Sequence, residues 1–216
     1  MTTLVNNFNE TFPKYKITNF TDYTSIVEHS NKNNNKFREL QLRGFDGFAF
    51  YDHFAQEMKS FADKSGHRGC LLNDCDGIHL FEFKGEKYLM LSELKSTFST
   101  QKTELAKKQI IGTYLKLRSL LNVLQGFNSQ DYHIFGLIAA YKPTDEIISA
   151  ISKKENQESA FAIQLNANCK CFMSACRCNE DFCSLNVRNF LIAYVPIPKD
   201  ANSYTVDIEE IINLIL

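Results

Sequence analysis

No stretch of this chain is apolar for the ~18–20 residues that a membrane-crossing helix needs. Its start, Met1-Thr2-Thr3-Leu4-Val5-Asn6-Asn7, has neither the basic region nor the apolar run of a secretory leader. No internal repeat is visible, which argues against a solenoid or propeller. Net charge is almost missing too: 24 Lys and Arg stand against 25 Asp and Glu, a total of −1. This argues against a protein coated in basic surface. Without a leader, the seven cysteines, an odd number, point to free thiols in a reducing cytoplasm rather than a disulfide framework. No membrane association is expected.

What is present is a large apolar share. At 216 residues, with 44% hydrophobic residues and 18 Phe, the chain can bury a substantial core as a single domain over 1–216. A polar loop is expected over Asn31–Lys36. The segment from Asp76 to Lys95 carries the most information. Two apolar-rich runs flank Lys84-Gly85-Glu86, and a short loop containing Gly between such runs signals a β-hairpin. Folding the segment symmetrically about Gly85 sets Asp76 opposite Leu94 and Gly77 opposite Glu93. A one-residue offset or a bulge is then needed to bring Asp76 and Glu93 onto one face. Lys95, two residues past Glu93, shares that residue's face. Two carboxylates and an ammonium are gathered at the open end of the hairpin.

Such a group suits Mg²⁺ or Mn²⁺, which takes a few carboxylates, a backbone carbonyl and several waters. The metal activates water and polarises a phosphodiester, and a neighbouring lysine serves that water or the developing charge. Asp76 followed by Glu93-Leu94-Lys95 resembles the PD-(D/E)xK nuclease superfamily, with Cys75 where many members have Pro. The resemblance covers roughly residues 46–141. It implies an α/β, restriction-endonuclease-like core in the order helix, three strands, helix, strand, with a C-terminal elaboration. It also implies metal ligation by Asp76, Glu93 and the Leu94 carbonyl, a catalytic role for Lys95, DNA as substrate, and restriction or phage defence as the biology.

The surrounding pattern supplies matching elements. Phe50, Phe54, Met58 and Phe61 recur at helical spacing and predict a helix over Tyr51–Lys64, with Cys70–Asn73 as a short first strand. A long helix is predicted from the capping region Ser96–Lys102 to about Gln125, with the apolar stripe Ala106, Ile110, Tyr114, Leu117, Leu121 and Leu124. The run His133–Tyr141 reads as a buried strand. Glu57 on the first helix is a further acid; its alternative is an exposed helix Glu. Gln109 lies where RecB-like members carry Gln-x-x-x-Tyr, but Gln109 to Tyr114 is one residue too long. From Lys84 to Arg118 eight basic residues face three Glu. Lys102, Lys107 and Lys108 near the helix start are therefore candidates for DNA phosphates, the alternative being a solvated helix face.

Downstream, Thr144–Lys154 reads as a helix. Phe190–Pro198 reads as a strand ended by prolines, and Val206–Leu216 as a helix that packs on the core or forms a homodimer contact. Residues 159–198 are expected to add edge strands or a small Cys-rich subdomain. There Cys169-Lys-Cys171 and Cys176-Arg-Cys178, folded as a hairpin, would offer four thiolates to structural Zn²⁺. Buried reduced thiols, and redox or iron–sulfur chemistry, stay open beside it. Two other functions compete with the nuclease reading: an inactive nuclease-fold module that binds nucleic acid or a protein partner, and a zinc-stabilised interaction protein.

Overall fold

The structure, a computed structural model, describes residues 1–15, 17–28, 38–50, 72–153, 157–180 and 183–216, with the side chains of all of these except 157–158, 174–180 and 183–188. The expected helix over Tyr51–Lys64 with Glu57, the polar loop and Cys70 lie outside the described residues. The chain is a mixed α/β fold. A seven-stranded sheet has the order β1 (Thr18–Phe20), β4 (Gly47–Ala49), β5 (Gly77–Phe83), β6 (Glu86–Lys95), β7 (His133–Tyr141), β9 (Cys183–Ile197), β8 (Lys170–Glu180). A second sheet of three strands runs β10 (Ser203–Asp207), β3 (Glu39–Arg43), β2 (Tyr23–Val27). Five helices are described: α1 (Thr2–Thr11), α2 (Thr100–Leu121), α3 (Asp145–Ser152), α4 (Gln157–Asn168) and α5 (Ile208–Ile215).

Two cores cover the two faces of the large sheet. On one, Leu4 and Phe8 of α1, Ile110 and Leu117 of α2 and Phe161 and Leu165 of α4 pack on Leu80, Leu89, Leu91, Ile138 and Ile192. On the other, Ile26, Leu40 and Leu42 of the small sheet and Ile208, Ile211 and Ile212 of α5 pack on Phe81, Met90, Leu94, Leu137 and Val195. Strands buried on both faces explain the near-continuous apolar runs of β6, β7 and β9.

The hairpin β5–β6 pairs Gly77 with Ser92 through Phe83 with Glu86. Its loop is therefore the two residues Lys84 and Gly85, both at positive φ (51° and 84°). That is the primed turn whose twist suits a hairpin, and Gly supplies one of its two left-handed positions without strain. The three-residue loop expected from the sequence is thus corrected. The shorter turn moves the centre of the pairing by half a residue, and this supplies the one-residue offset that the site requires.

β6 continues through Ser99, whose side chain caps Lys102 N at 3.2 Å, into α2 and then to β7, which pairs parallel to β6. α2 lies close on β7: a Cβ at Gly136 would stand 2.8 Å from Ile110 Cγ2. α2 ends four residues before Gln125. Its last bonds tighten to three-residue spacing, Val123 N to Leu120 O and Leu124 N to Leu121 O, which closes the helix before Gly126.

Other boundaries differ as well. On the side of β5 away from β6 the neighbouring strand, also antiparallel, is β4, whereas Leu72 and Asn73, expected in a first strand, lie outside any strand. β9 begins seven residues before Phe190 and passes through Pro196, which pairs with Ala140 of β7. The β8 partner has ended by then, at Ala193, so β9 is locally an edge where its proline falls. Val206 and Asp207 extend β10 rather than opening α5, because they pair with Leu42 and Arg43 of β3. Residues 159–198 supply α4 and two strands of the main sheet.

Candidate functional site

Continuing the hairpin register one step beyond Gly77 and Ser92 sets Asp76 across from Glu93. Residues directly opposite in an antiparallel pair share a face, and Lys95 shares it at two residues on. All three stand on the α2 side of the sheet, in line with Leu89 and Leu91. The contacts close the group. The Leu94 N–H donates to Asp76 Oδ2 at 2.7 Å. Lys95 Nζ donates to Glu93 Oε1 and, at 2.9 Å, to Gln109 Oε1 on α2. The structure therefore brings Asp76, Glu93, Leu94, Lys95 and Gln109 together.

Burial gives the group its electrostatics. The Glu93 side chain is 1% exposed and that of Lys95 12%. Burial first, and the nearby Asp76 carboxylate second, push the Glu93 carboxyl well above its ordinary range, against the pull of Lys95. Glu93 Oε1 has Lys95 as its partner; Glu93 Oε2 is buried with none among the described residues. A buried carboxylate oxygen without a partner is costly, and a divalent cation is one group that would satisfy it. Among the described residues no three or more His, Cys, Asp or Glu side chains are gathered around one point. A cation here would draw on two carboxylates, a carbonyl and water. That set fits Mg²⁺, which keeps several waters, better than Zn²⁺.

The basic residues divide. Lys102 precedes Gln109 by seven residues, two turns along the same helix stripe, and is exposed, as is Lys108. Lys107 lies about 200° round the helix from Gln109. It pairs with Glu104 at 2.6 Å and stands over the Phe161 ring of α4, so it does not join the site. Two residues beyond Lys95 a cleft of about 400 Å³ opens at the start of α2, lined by Thr97, Ser99, Thr100, Gln101, Ile147 and Ile151 among others.

The hairpin that would gather the four thiolates for zinc is not formed. Cys171, Cys176 and Cys178 lie along the single strand β8, with Cys169 one residue before it; the stretch is not a hairpin. A strand advances about 3.3 Å per residue, so Cys171 and Cys178 are separated by roughly 23 Å, far beyond what one tetrahedral ion spans. Cys171 is buried and its thiol donates to Gln164 Oε1 at 3.0 Å, in keeping with a reduced packing residue.

Sequence reasoning passed over Asp74, Thr113 and Lys116. Lys116 is 2% exposed. Its ammonium donates to the Asp74 carboxylate and to Asn73 O at 3.0 Å. Thr113 Oγ1 accepts from Cys75 N at 2.9 Å, and Gln109 Nε2 donates to Asp74 O at 2.9 Å. The available signal was the spacing: Gln109, Thr113 and Lys116, four and three apart, form a polar stripe on one face of α2. Comparison with family models, curated proteins and solved structures finds no match to this chain. No described helix is long and apolar enough to cross a membrane.

Proposed function

We propose that the protein is a metal-dependent nuclease of the PD-(D/E)xK type that hydrolyses phosphodiester bonds of DNA. One observation carries the reading. Asp76, Glu93 and Lys95 meet at a strand end, with a buried Glu93 oxygen that has no described partner. Asp76, Glu93 and the Leu94 carbonyl would hold Mg²⁺ or Mn²⁺. Such an ion, when bound, polarises the phosphodiester and lowers the pKa of coordinated water.

The chain's own residues do the rest. Glu93 gives up the proton that its raised pKa favours when the cation is taken up. The Leu94 N–H fixes the Asp76 carboxylate. Gln109 and Glu93 hold the Lys95 ammonium beside the carboxylates. From there it can donate to a phosphate oxygen as negative charge develops, or donate a hydrogen bond that orients the attacking water. The restriction-endonuclease-like core is part of the same proposal. It is supported by a hairpin, a helix and a parallel strand in succession, with the acids on the helix side.

The test is cleavage of plasmid and linear DNA by the full chain with Mg²⁺ or Mn²⁺, stopped by chelator. Asp76→Ala and Glu93→Ala should lose cutting and Mn²⁺ binding. Lys95→Ala should keep Mn²⁺ binding and lose rate. Undiminished cutting by all three variants would end the nuclease reading.

A further inference from the structure

Building on that metal-site reading, we infer that Lys116 is a positioning residue for Asp76, acting through the segment Asn73–Cys75 from the middle of α2. Asp76 follows the last of these residues directly. It lies outside the regular strand, which begins at Gly77, so the sheet ladder alone does not fix it. Three side chains from one stripe of α2 take hold of the preceding residues in turn. Lys116 donates to the Asn73 carbonyl and the Asp74 carboxylate. Gln109 donates to the Asp74 carbonyl. Thr113 accepts the Cys75 N–H.

The Lys116–Asp74 pair is nearly sealed, at 2% and 8% side-chain exposure. A lysine and an aspartate are seldom buried so deeply. A hydrophobic pair would fill such a place at no electrostatic cost, so the retained charges call for a role in specifying geometry. The geometry in question is that of Asp76. Its carboxylate takes the Leu94 N–H only if the chain before it arrives at the right height beside β6. Gln109 connects the two halves, because it holds both the Asp74 carbonyl and Lys95. The hydrogen bonds of Lys116 described above run to Asn73 and Asp74, so its effect on Asp76 passes through residues 73–75.

Two measurements on the full chain test this: amide hydrogen exchange at Leu94, with Leu89 in the same strand as reference, and Mn²⁺ affinity by paramagnetic resonance of the free ion. In Lys116→Gln, Leu94 should exchange at least about tenfold faster relative to Leu89, since it loses a charge-assisted bond. Mn²⁺ affinity should fall by about 10–100-fold, the usual effect of removing a group that orients a ligand. A merely structural lysine would speed exchange at Leu94 and Leu89 alike. If Lys116→Gln does not fold, Thr113→Val, which removes only the acceptor for Cys75, should give the same local pattern at smaller size. Unchanged relative exchange at Leu94 in a folded variant overturns the inference. A wild-type chain that binds no Mn²⁺, but whose Leu94 responds to Lys116→Gln, overturns the metal reading and leaves the positioning role standing.

Discussion

The β5–β6 hairpin buries a histidine on one face and a glutamate on the other, and the two keep different company. His79 faces the small sheet. Its Nε2 meets Thr24 Oγ1 at 3.4 Å, Phe20 stands edge-on at 5.9 Å, and its Nδ1 has no partner among the described residues. Burial alone pushes it down to about pH 4. Glu93 faces α2 and is buried as deeply, but Asp76, Lys95 and Gln109 converge on it and its neighbour. Burial by itself therefore does not mark a site in this fold. A lone buried imidazole is a neutral packing group. A buried carboxyl beside a second carboxylate and an ammonium is a poorly satisfied charge system, and an added cation would complete it.

Substitutions of the site residues should separate the faces most sharply. Glu93→Gln is expected to abolish metal-dependent cutting, and Lys95→Ala to slow it about 10²–10⁴-fold. His79→Gln should cut at the wild-type rate. Stability should move the opposite way. Glu93→Gln removes a carboxyl held against its preference, so the melting temperature in the absence of metal should stay level or rise by a few degrees. Trading stability for a functional charge is common at active sites. A loss of cutting in His79→Gln, with its fold intact, would collapse the distinction.

The next largest effect belongs to the two ends of the hairpin. Lys116→Met leaves Asp74 charged and buried, and breaking such a pair costs about 3–5 kcal/mol. Lys84 at the turn pairs with Glu209, but both side chains are more than half exposed. Lys84→Met should cost no more than about 1 kcal/mol. Denaturant titration of both variants against wild type checks the contrast.

The sequence makes the acids and the lysine legible through spacing alone. It leaves their register half a residue out, because the loop length depends on Lys84 accepting positive φ, which few non-glycine residues do. The apolar periods of α2 and β7 were readable, since each buries one stripe or both faces. The small sheet was not. β10 pairs with β3 across more than 160 residues, and β2, β3 and β10 are five-residue strands whose alternation is too short to stand out. The Asp74–Lys116 pair was hidden for a related reason. Each residue by itself reads as surface, and only the packing of α2 over residues 73–75 buries them together.

Titration offers a third contrast, with opposite signs on the two faces. The folded pKa of His79 lies below its ordinary 6.5, at about 4. Its contribution is present above pH 6.5 and is lost as pH falls through 4, to a total on the order of 3 kcal/mol. The folded pKa of Glu93 lies above its ordinary 4.5. Its contribution is present below that value and is lost as pH rises through the raised one. Melting profiles of the metal-free protein should flatten on the acid side in His79→Gln and on the neutral side in Glu93→Gln. Saturating Mg²⁺ should mimic the second change only. A Mg²⁺ effect on the acid limb instead would place the ion away from Glu93.

The smallest expected effect concerns the path of DNA and compares lysines on one helix. Lys102 and Lys108 are exposed near the start of α2, and Lys102 shares the Gln109 stripe that leads to Lys95. The helix N-terminus adds partial positive charge there. Contacts from these residues would be to phosphates and would carry no base sequence. Lys107 is turned towards Glu104 and Phe161. Lys102→Gln and Lys108→Gln together should weaken binding of catalytically inactive protein to all DNA sequences about equally. The dependence of log K on log salt should become shallower by about 2, near 0.9 for each lost phosphate contact. Lys107→Gln should leave that slope unchanged, because its ammonium is already engaged within the protein. Should Lys107 carry the slope and the other two not, the nucleic acid would have to approach over α4, away from the Asp76–Glu93 end of the hairpin.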